Sequence, residues 1–186
     1  ETTGIGLNRA YLRDLSKDLQ DRMRFLEGVI HEQAGMPFNV NSNKQLQEVL
    51  FVHLHIPAPK KTKTGFSTDS ETLLSLAPSH PICDNLLEYR ELSKLKSTYA
   101  DSLLDLVDAS TGLIHTSFNQ MVTATGRLSS SNPNLQNIPI KTELGRKVRR
   151  AFVPPVDGHS FVSLDYSQIE LRLLAHYSQD PGLLKA

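Results

Sequence analysis

The chain has 186 residues, 39% of them hydrophobic, which suffices for one domain or two small ones with a packed core. Lys plus Arg and Asp plus Glu both number 20, so the formal net charge is zero and bulk charge announces neither a nucleic-acid nor a membrane partner. The single cysteine, Cys83, excludes an internal disulfide and fits a reducing cytoplasmic setting; no apolar run reaches the length of a membrane span, and "ETTGIGLNRAY" lacks a signal pattern.

Tyr11, Leu12, Leu15, Leu19, Met23, Leu26 and Ile30 recur three or four apart up to Gly35, which predicts one long amphipathic helix over about 7–34. Asn41 or Ser42 can cap a short second helix through "KQLQEVLFVHL". The polar stretch "HIPAPKKTKTGFSTDSE" reads as an exposed loop ending in a Ser/Thr/Asp cap, and "SETLLSLA" as a third short helix. Pro81 opens a second long helix, with Leu86, Tyr89, Leu92, Leu95, Tyr99, Leu103 and Leu106 on one face as far as Val107. Two long helices bracketing a helical tip make an antiparallel arm. At "TGLIHTSFNQ" the spacing changes to β-type alternation, placing the boundary of a mixed part at Gly112. There "TATGRLSSSNPNLQNIP" reads as an irregular loop and "ELGRKVRRAF" as a short basic helix. "FVSLD" then reads as a half-buried strand, and "QIELRLLAH" as a helix with Ile169, Leu173 and His176 on one face. Asp180 caps a last helix that begins at Pro181 and stops within a turn, so the chain reads as a piece of something longer.

Three short windows, around Lys60, Lys61 and Lys63, around Arg90, Lys94 and Lys96, and from Lys141 to Arg150, hold more than half of the positive charge. Such faces suit phosphates, and each one alone reads equally as a solvated helix surface. Arg127, Asn134, Gln136 and Asn137 carry groups that hydrogen-bond base edges, although an ordinary polar loop has the same composition. The seven histidines show no metal-ligand spacing beyond the pair His53 and His55, and no Gly-rich phosphate loop, nucleophile elbow or CxxC is present. Asp165, at the junction of strand and helix, is placed where a side chain meets a ligand at a sheet rim. Two-metal phosphoryl transfer needs converging carboxylates, and Glu170, five residues on, falls on the wrong side of the next helical turn to share an ion with it. Taken alone, Asp165 reads more readily as a charge at a helix N-terminus.

Together these segments carry a resemblance. "DYSQIELR" (Asp165 to Arg172), "TATGRLSSSNPNLQNIP" (Thr123 to Pro139), "YRELSKLKSTY" (Tyr89 to Tyr99) and "KTKTGFSTD" (Lys61 to Asp69) resemble family A DNA polymerases of the bacterial polymerase I type. The resemblance implies an α+β fold in which residues 1–111 form the helical thumb and 112–186 the first, incomplete part of the palm. It implies that Asp165 is a metal-binding aspartate for one of two Mg²⁺ ions, with the Tyr166 carbonyl also facing the metals. Glu170 then closes against the sugar 2′ position, and Gln168 and Ile169 lie beside the incoming dNTP. Arg127 resembles the minor-groove contact at the primer end, with Asn134 and Gln136 near it on the duplex. Asn39, Asn41, Ser42, Ser67, Arg90 and Lys94 match positions that grip the sugar-phosphate backbone of primer-template DNA. The family's fingers helix and second metal-binding aspartate are expected beyond Ala186, so the piece alone is expected not to polymerise. DNA as partner implies a cytoplasmic, nucleoid-associated protein of replication and repair. Two rivals are a duplex-binding module without catalysis and a two-metal nuclease, the latter disfavoured because no second carboxylate converges on Asp165.

Overall fold

A computed structural model describes residues 1–58, 61–62 and 65–185. Helix α1 (Arg9–Ala34) starts where the Asn8 side chain accepts the Tyr11 backbone N–H at 3.0 Å. It ends at Gly35, whose φ of 71° is the left-handed turn that a residue without Cβ adopts at least cost. Its stripe of Leu12, Leu15, Leu19, Met23, Leu26 and Ile30 is buried, as the spacing predicts. Helix α4 (Pro81–Leu95), with proline at its start, buries Ile82, Leu86, Tyr89, Leu92 and Leu95. A π turn (Lys96–Asp101) and α5 (Ser102–Asp105) carry it on, so the second long helix forms over nearly its predicted extent. Three cross-links run in opposite sequence order along the pair: Ser16 Oγ to Asp101 at 2.6 Å, Arg22 Nε to Glu88 at 2.8 Å, and Asn85 Nδ2 to Gln33 at 3.0 Å. The helices are therefore antiparallel, and the arm predicted from periodicity is present.

At the arm's tip lie α2 (Asn43–Gln47), a π turn (Glu48–His53), the two-residue strands β2 (Lys61–Thr62) and β3 (Gly65–Phe66), and α3 (Ser70–Leu76). β2 and β3 pair antiparallel, and the Phe66 ring meets Phe51 edge-on at 5.3 Å. The predicted exposed loop is corrected at its end: Ser67 and Thr68 are buried, at 7% and 6% exposure, because the chain turns inward there to be capped by Asp69. Asp69 accepts the Thr72 N–H at 2.8 Å, as the cap reading predicts. Apart from the Lys61 backbone, the Lys60, Lys61 and Lys63 cluster lies outside the described residues.

Of the three two-stranded ladders among the described residues, two lie in the mixed part. β1 (Gly6–Leu7) pairs antiparallel with β6 (Phe152–Val153), and Ile5 bridges Ile114, so the first residues of the chain are tied to this part. The turn leading in is set by Asp108, whose Oδ1 accepts the N–H groups of Ser110 (2.9 Å) and Thr111 (2.8 Å). The Ser110 hydroxyl above all, with these N–H groups and the Thr111 hydroxyl, pulls its carboxyl down to about 2. β4 (Ser117–Asn119) pairs with β5 (Ser129–Ser131), so the stretch predicted as irregular contains a strand. A run of three serines carries no hydropathy alternation, which hides the strand. Helix α6 (Glu143–Arg150), capped by Thr142, is the predicted basic helix and packs through Val148.

The predicted strand at Phe161 does not form. Residues 161–166 adopt no regular structure, with Val162 and Leu164 exposed at 81% and 92%. Alternation marks strand competence, but a strand also needs a neighbour to take its N–H and C=O groups, and none pairs there among the described residues. Helix α7 (Ile169–Ser178) follows as predicted, yet its Ile169 and Leu173 face is exposed and only Ala175 is buried. Asp180 accepts the N–H groups of Gly182 (2.8 Å) and Leu183 (2.9 Å), capping α8 (Pro181–Lys185).

Candidate nucleic-acid interface

One flank of the arm carries two adjoining grooves. The first, about 430 Å³, lies at the tip and is lined by Asn41, Asn43, Gln47, Ser67, Thr68, Asp69 and Arg90, among others. Three predicted backbone-gripping residues, Asn41, Ser67 and Arg90, are thus brought together from stretches far apart in sequence. Arg90 donates to the Thr68 carbonyl and, at 3.3 Å, to Asn43 Oδ1. Burial lowers its pKa, and Asp69 nearby opposes that shift; the guanidinium stays charged. Asn41 Nδ2 donates to the Tyr89 hydroxyl at 3.0 Å. A fixed cation among amide and hydroxyl groups is chemistry suited to a phosphate and its sugar. The close approach of Gly65 to Gln47 shapes this wall, since a Cβ at Gly65 would collide with the Gln47 side-chain oxygen.

The second groove, about 680 Å³, lies between the arm and the loop after β5, with Lys94, Thr98, Tyr99 and Ser102 on one side and Asn132, Pro133, Asn134 and Asn137 on the other. The Tyr99 hydroxyl donates to the Asn137 carbonyl and ties the two walls. Across the loop, Ser130 Oγ accepts the N–H groups of Leu135 (3.0 Å) and Gln136 (3.3 Å). Asn134 Oδ1 accepts the Gln136 N–H at 3.1 Å and the Ser130 hydroxyl at 3.2 Å, leaving the Asn134 amide NH₂ as a donor for a ligand. Because Arg90 and Lys94 stand four apart in α4, the grooves meet along that helix.

Two other predicted contacts act locally. The Ser42 hydroxyl accepts the Gln45 N–H at 3.4 Å and caps α2, while Asn39 Oδ1 accepts the Asn41 N–H at 3.0 Å and sets the turn before it. Both shape the groove that Asn41 lines. Arg127 and Glu170, predicted to act at the primer end and at the sugar, form an ion pair at 2.5 Å with side chains 70% and 75% exposed. The turn presenting Arg127 is closed by the Gly126 N–H to the Thr123 carbonyl (3.2 Å), with Gly126 at φ 74°. Sequence spacing gave no sign of this pair, because its members are 43 residues apart. Gln168, ahead of α7, is held at φ 53°, a conformation that a non-glycine residue keeps only when its surroundings demand it; no residue-type signal marks it.

Asp165, Tyr166, Gln168 and Ile169 all lie exposed at the entry to α7. A carboxylate is a hard donor of the kind Mg²⁺ takes, yet no three His, Cys, Asp or Glu side chains converge among the described residues. Asp165 thus contributes at most one carboxylate, and the described residues do not compose a two-ion site. His53 and His55 line a separate groove with Met36 and Phe38 and likewise form no such cluster. No helix among the described residues is long and apolar enough to cross a membrane.

Residues 9–186 match the family described as DNA polymerase family A, and the chain belongs to that family. It is 54% identical over 187 residues to the thermostable DNA polymerase I of Thermus aquaticus, an alignment covering all of this chain and 22% of that protein. It is 50% identical over 186 residues to DNA polymerase I of Geobacillus stearothermophilus, covering all of this chain and 21% of the relative. Among solved structures it resembles the POL domain of Pol1 from M. smegmatis in complex with DNA primer-template and dNTP, with a TM-score of 0.86 and 46% identity over 99% of this chain and 32% of that one. The helix-rich α+β fold is thus that of part of a polymerase domain. The chain spans about a fifth of the length of the curated relatives it matches.

Proposed function

We propose that the chain is the DNA-gripping thumb, residues 1–111, and the opening part of the palm, from 112, of a DNA polymerase I. The strand Gly6–Leu7 anchors the thumb on the palm through its pairing with Phe152–Val153. The parent enzyme transfers a nucleotidyl group from a dNTP to a primer 3′ hydroxyl on a DNA template, in replication and repair within the cytoplasm. The observation that carries this reading is the gathering of Asn41, Ser67 and Arg90 in one groove and of Lys94 and Asn134 in the next. Cation, hydroxyl and amide groups there meet sugar and phosphate without reading sequence, which a polymerase that slides along its template requires.

In this reading Asp165 and the Tyr166 carbonyl contribute to the Mg²⁺ site, and the remaining carboxylate comes from outside this chain. Arg127 hydrogen-bonds the minor-groove edge at the primer end, where the acceptors of all base pairs are nearly alike, so it tests pairing geometry. Glu170, on the first turn of α7, excludes a 2′ hydroxyl, with Gln168 and Ile169 flanking the dNTP and Gln136 beside Asn134 on the duplex. The isolated chain binds DNA and does not polymerise. Titrating labelled primer-template at two salt concentrations, with and without Mg²⁺, tests this. Salt-sensitive binding without extension of the primer supports it. Templated nucleotide addition overturns the inactivity, and strand cleavage favours the nuclease reading instead.

A further inference from the structure

The second long helix changes its winding at the very place where it faces the loop after β5. In an α-helix, residues four apart overshoot a full turn by about 40°, so a row spaced by fours drifts around the cylinder. The π turn Lys96–Asp101, closed by i→i+5 bonds, fits more residues into each revolution and takes that drift back. As a result Lys94, Thr98 and Ser102 all line the groove opposite Asn134. The winding is held by Asp101, which accepts from Lys96 Nζ at 2.6 Å and from Ser16 Oγ of α1 at 2.6 Å. Among the described residues no hydrogen bond occupies the Thr98 or Ser102 hydroxyl. The neighbouring Ser97 hydroxyl is spent on the Ser93 carbonyl at 2.8 Å.

We infer that the π turn extends the binding stripe of Arg90 and Lys94 by two hydroxyl contacts, Thr98 and Ser102, which hydrogen-bond the sugar-phosphate backbone of duplex DNA. This rests on the DNA-binding reading above. The hydroxyls add hydrogen bonds without charge, so they raise affinity while leaving its salt dependence unaltered. Lys94, by contrast, neutralises a phosphate and contributes to the salt slope.

The test is anisotropy with a labelled primer-template duplex and the 186-residue chain across a salt series. The variants are T98V/S102A, T98V, T98S, S97A, R90Q and K94Q, each checked by circular dichroism. T98V/S102A is expected to raise Kd about tenfold with an unchanged slope, and T98V about threefold. T98S and S97A are expected to bind like the parent chain, and K94Q to reduce the slope by about 0.9. If R90Q and K94Q weaken binding but T98V/S102A and T98V do not, the hydroxyl stripe is wrong and the DNA reading stands. If the parent chain does not bind, or R90Q and K94Q are without effect, both fall. Thr98 is exposed, so T98V decides the matter even if the double variant unfolds.

Discussion

The arm and the segment after residue 160 carry similar apolar content and treat it in opposite ways. In α1 and α4 the leucines meet across two helices, and Leu12, Leu26 and Leu86 are sealed from solvent. In 161–174 Val162, Leu164 and Leu171 stand in water. A helix satisfies its own backbone and needs only one apolar neighbour to bury its stripe, whereas a strand needs a partner for its backbone before its side chains can find a face. Backbone self-sufficiency therefore separates the arm from 161–166, whereas α7 satisfies its own backbone and, among the described residues, lacks the apolar neighbour that would cover Leu171 and Leu173.

The sharpest way to break that comparison is to remove the same group from both regions. Leu86→Ala empties a fully buried site between the arm helices and should lower unfolding free energy by about 2–5 kcal/mol. Leu164→Ala, at 92% exposure, should change it by less than about 0.5 kcal/mol. Urea denaturation followed by circular dichroism measures both. Equal losses would mean that the segment after residue 160 packs in solution.

Arg90 tests the arm from its polar side. Its guanidinium satisfies the carbonyl of buried Thr68 and donates to Asn43 as well. Arg90→Ala leaves that carbonyl without its donor and should cost about 1–3 kcal/mol of stability. It should also weaken DNA binding, so a variant that loses affinity at unchanged stability would separate the groove's binding role from its structural one.

Periodicity made the arm legible: caps at Ser42 and Asp69, the Gly35 stop and both buried stripes could all be read, because each depends on residues within a few positions of one another. Long-range facts were not legible. The Arg127–Glu170 pair, the tie from Tyr99 to the 132–137 loop and the missing ladder at Phe161 depend on which segments meet, and hydropathy within a window holds no such information. The π turns were hidden for a related reason, since one extra residue per revolution leaves a hydrophobic stripe nearly intact.

Cys83 probes the arm's core without a change of volume. Burial pushes its thiol up to about 11, with Asp84 adding to the rise. The neutral thiol is the form the folded arm favours, so this contribution to stability is complete below the ordinary thiol pKa near 9.0 and is lost as pH climbs through about 11. A thiol-specific colorimetric reagent at pH 8 should react slowly with the folded chain and at the free-thiol rate in urea. Fast reaction in the folded state would show that the arm opens readily.

The smallest effect belongs to Arg127–Glu170, the one ion pair among the described residues that joins the β4–β5 region to α7. Both side chains remain largely in water, so the attraction is screened and the ordering of two long side chains opposes it. Glu170→Gln should therefore shift unfolding free energy by less than about 1 kcal/mol, and added salt should erase the difference. Such a weak contact suits residues proposed to meet a primer end and a nucleotide sugar, because a ligand can separate them at little cost. In a full-length polymerase carrying the same change, discrimination against ribonucleotides should fall far more than stability does. A large stability loss with unchanged sugar selectivity would assign the pair to holding α7 in place rather than to the substrate.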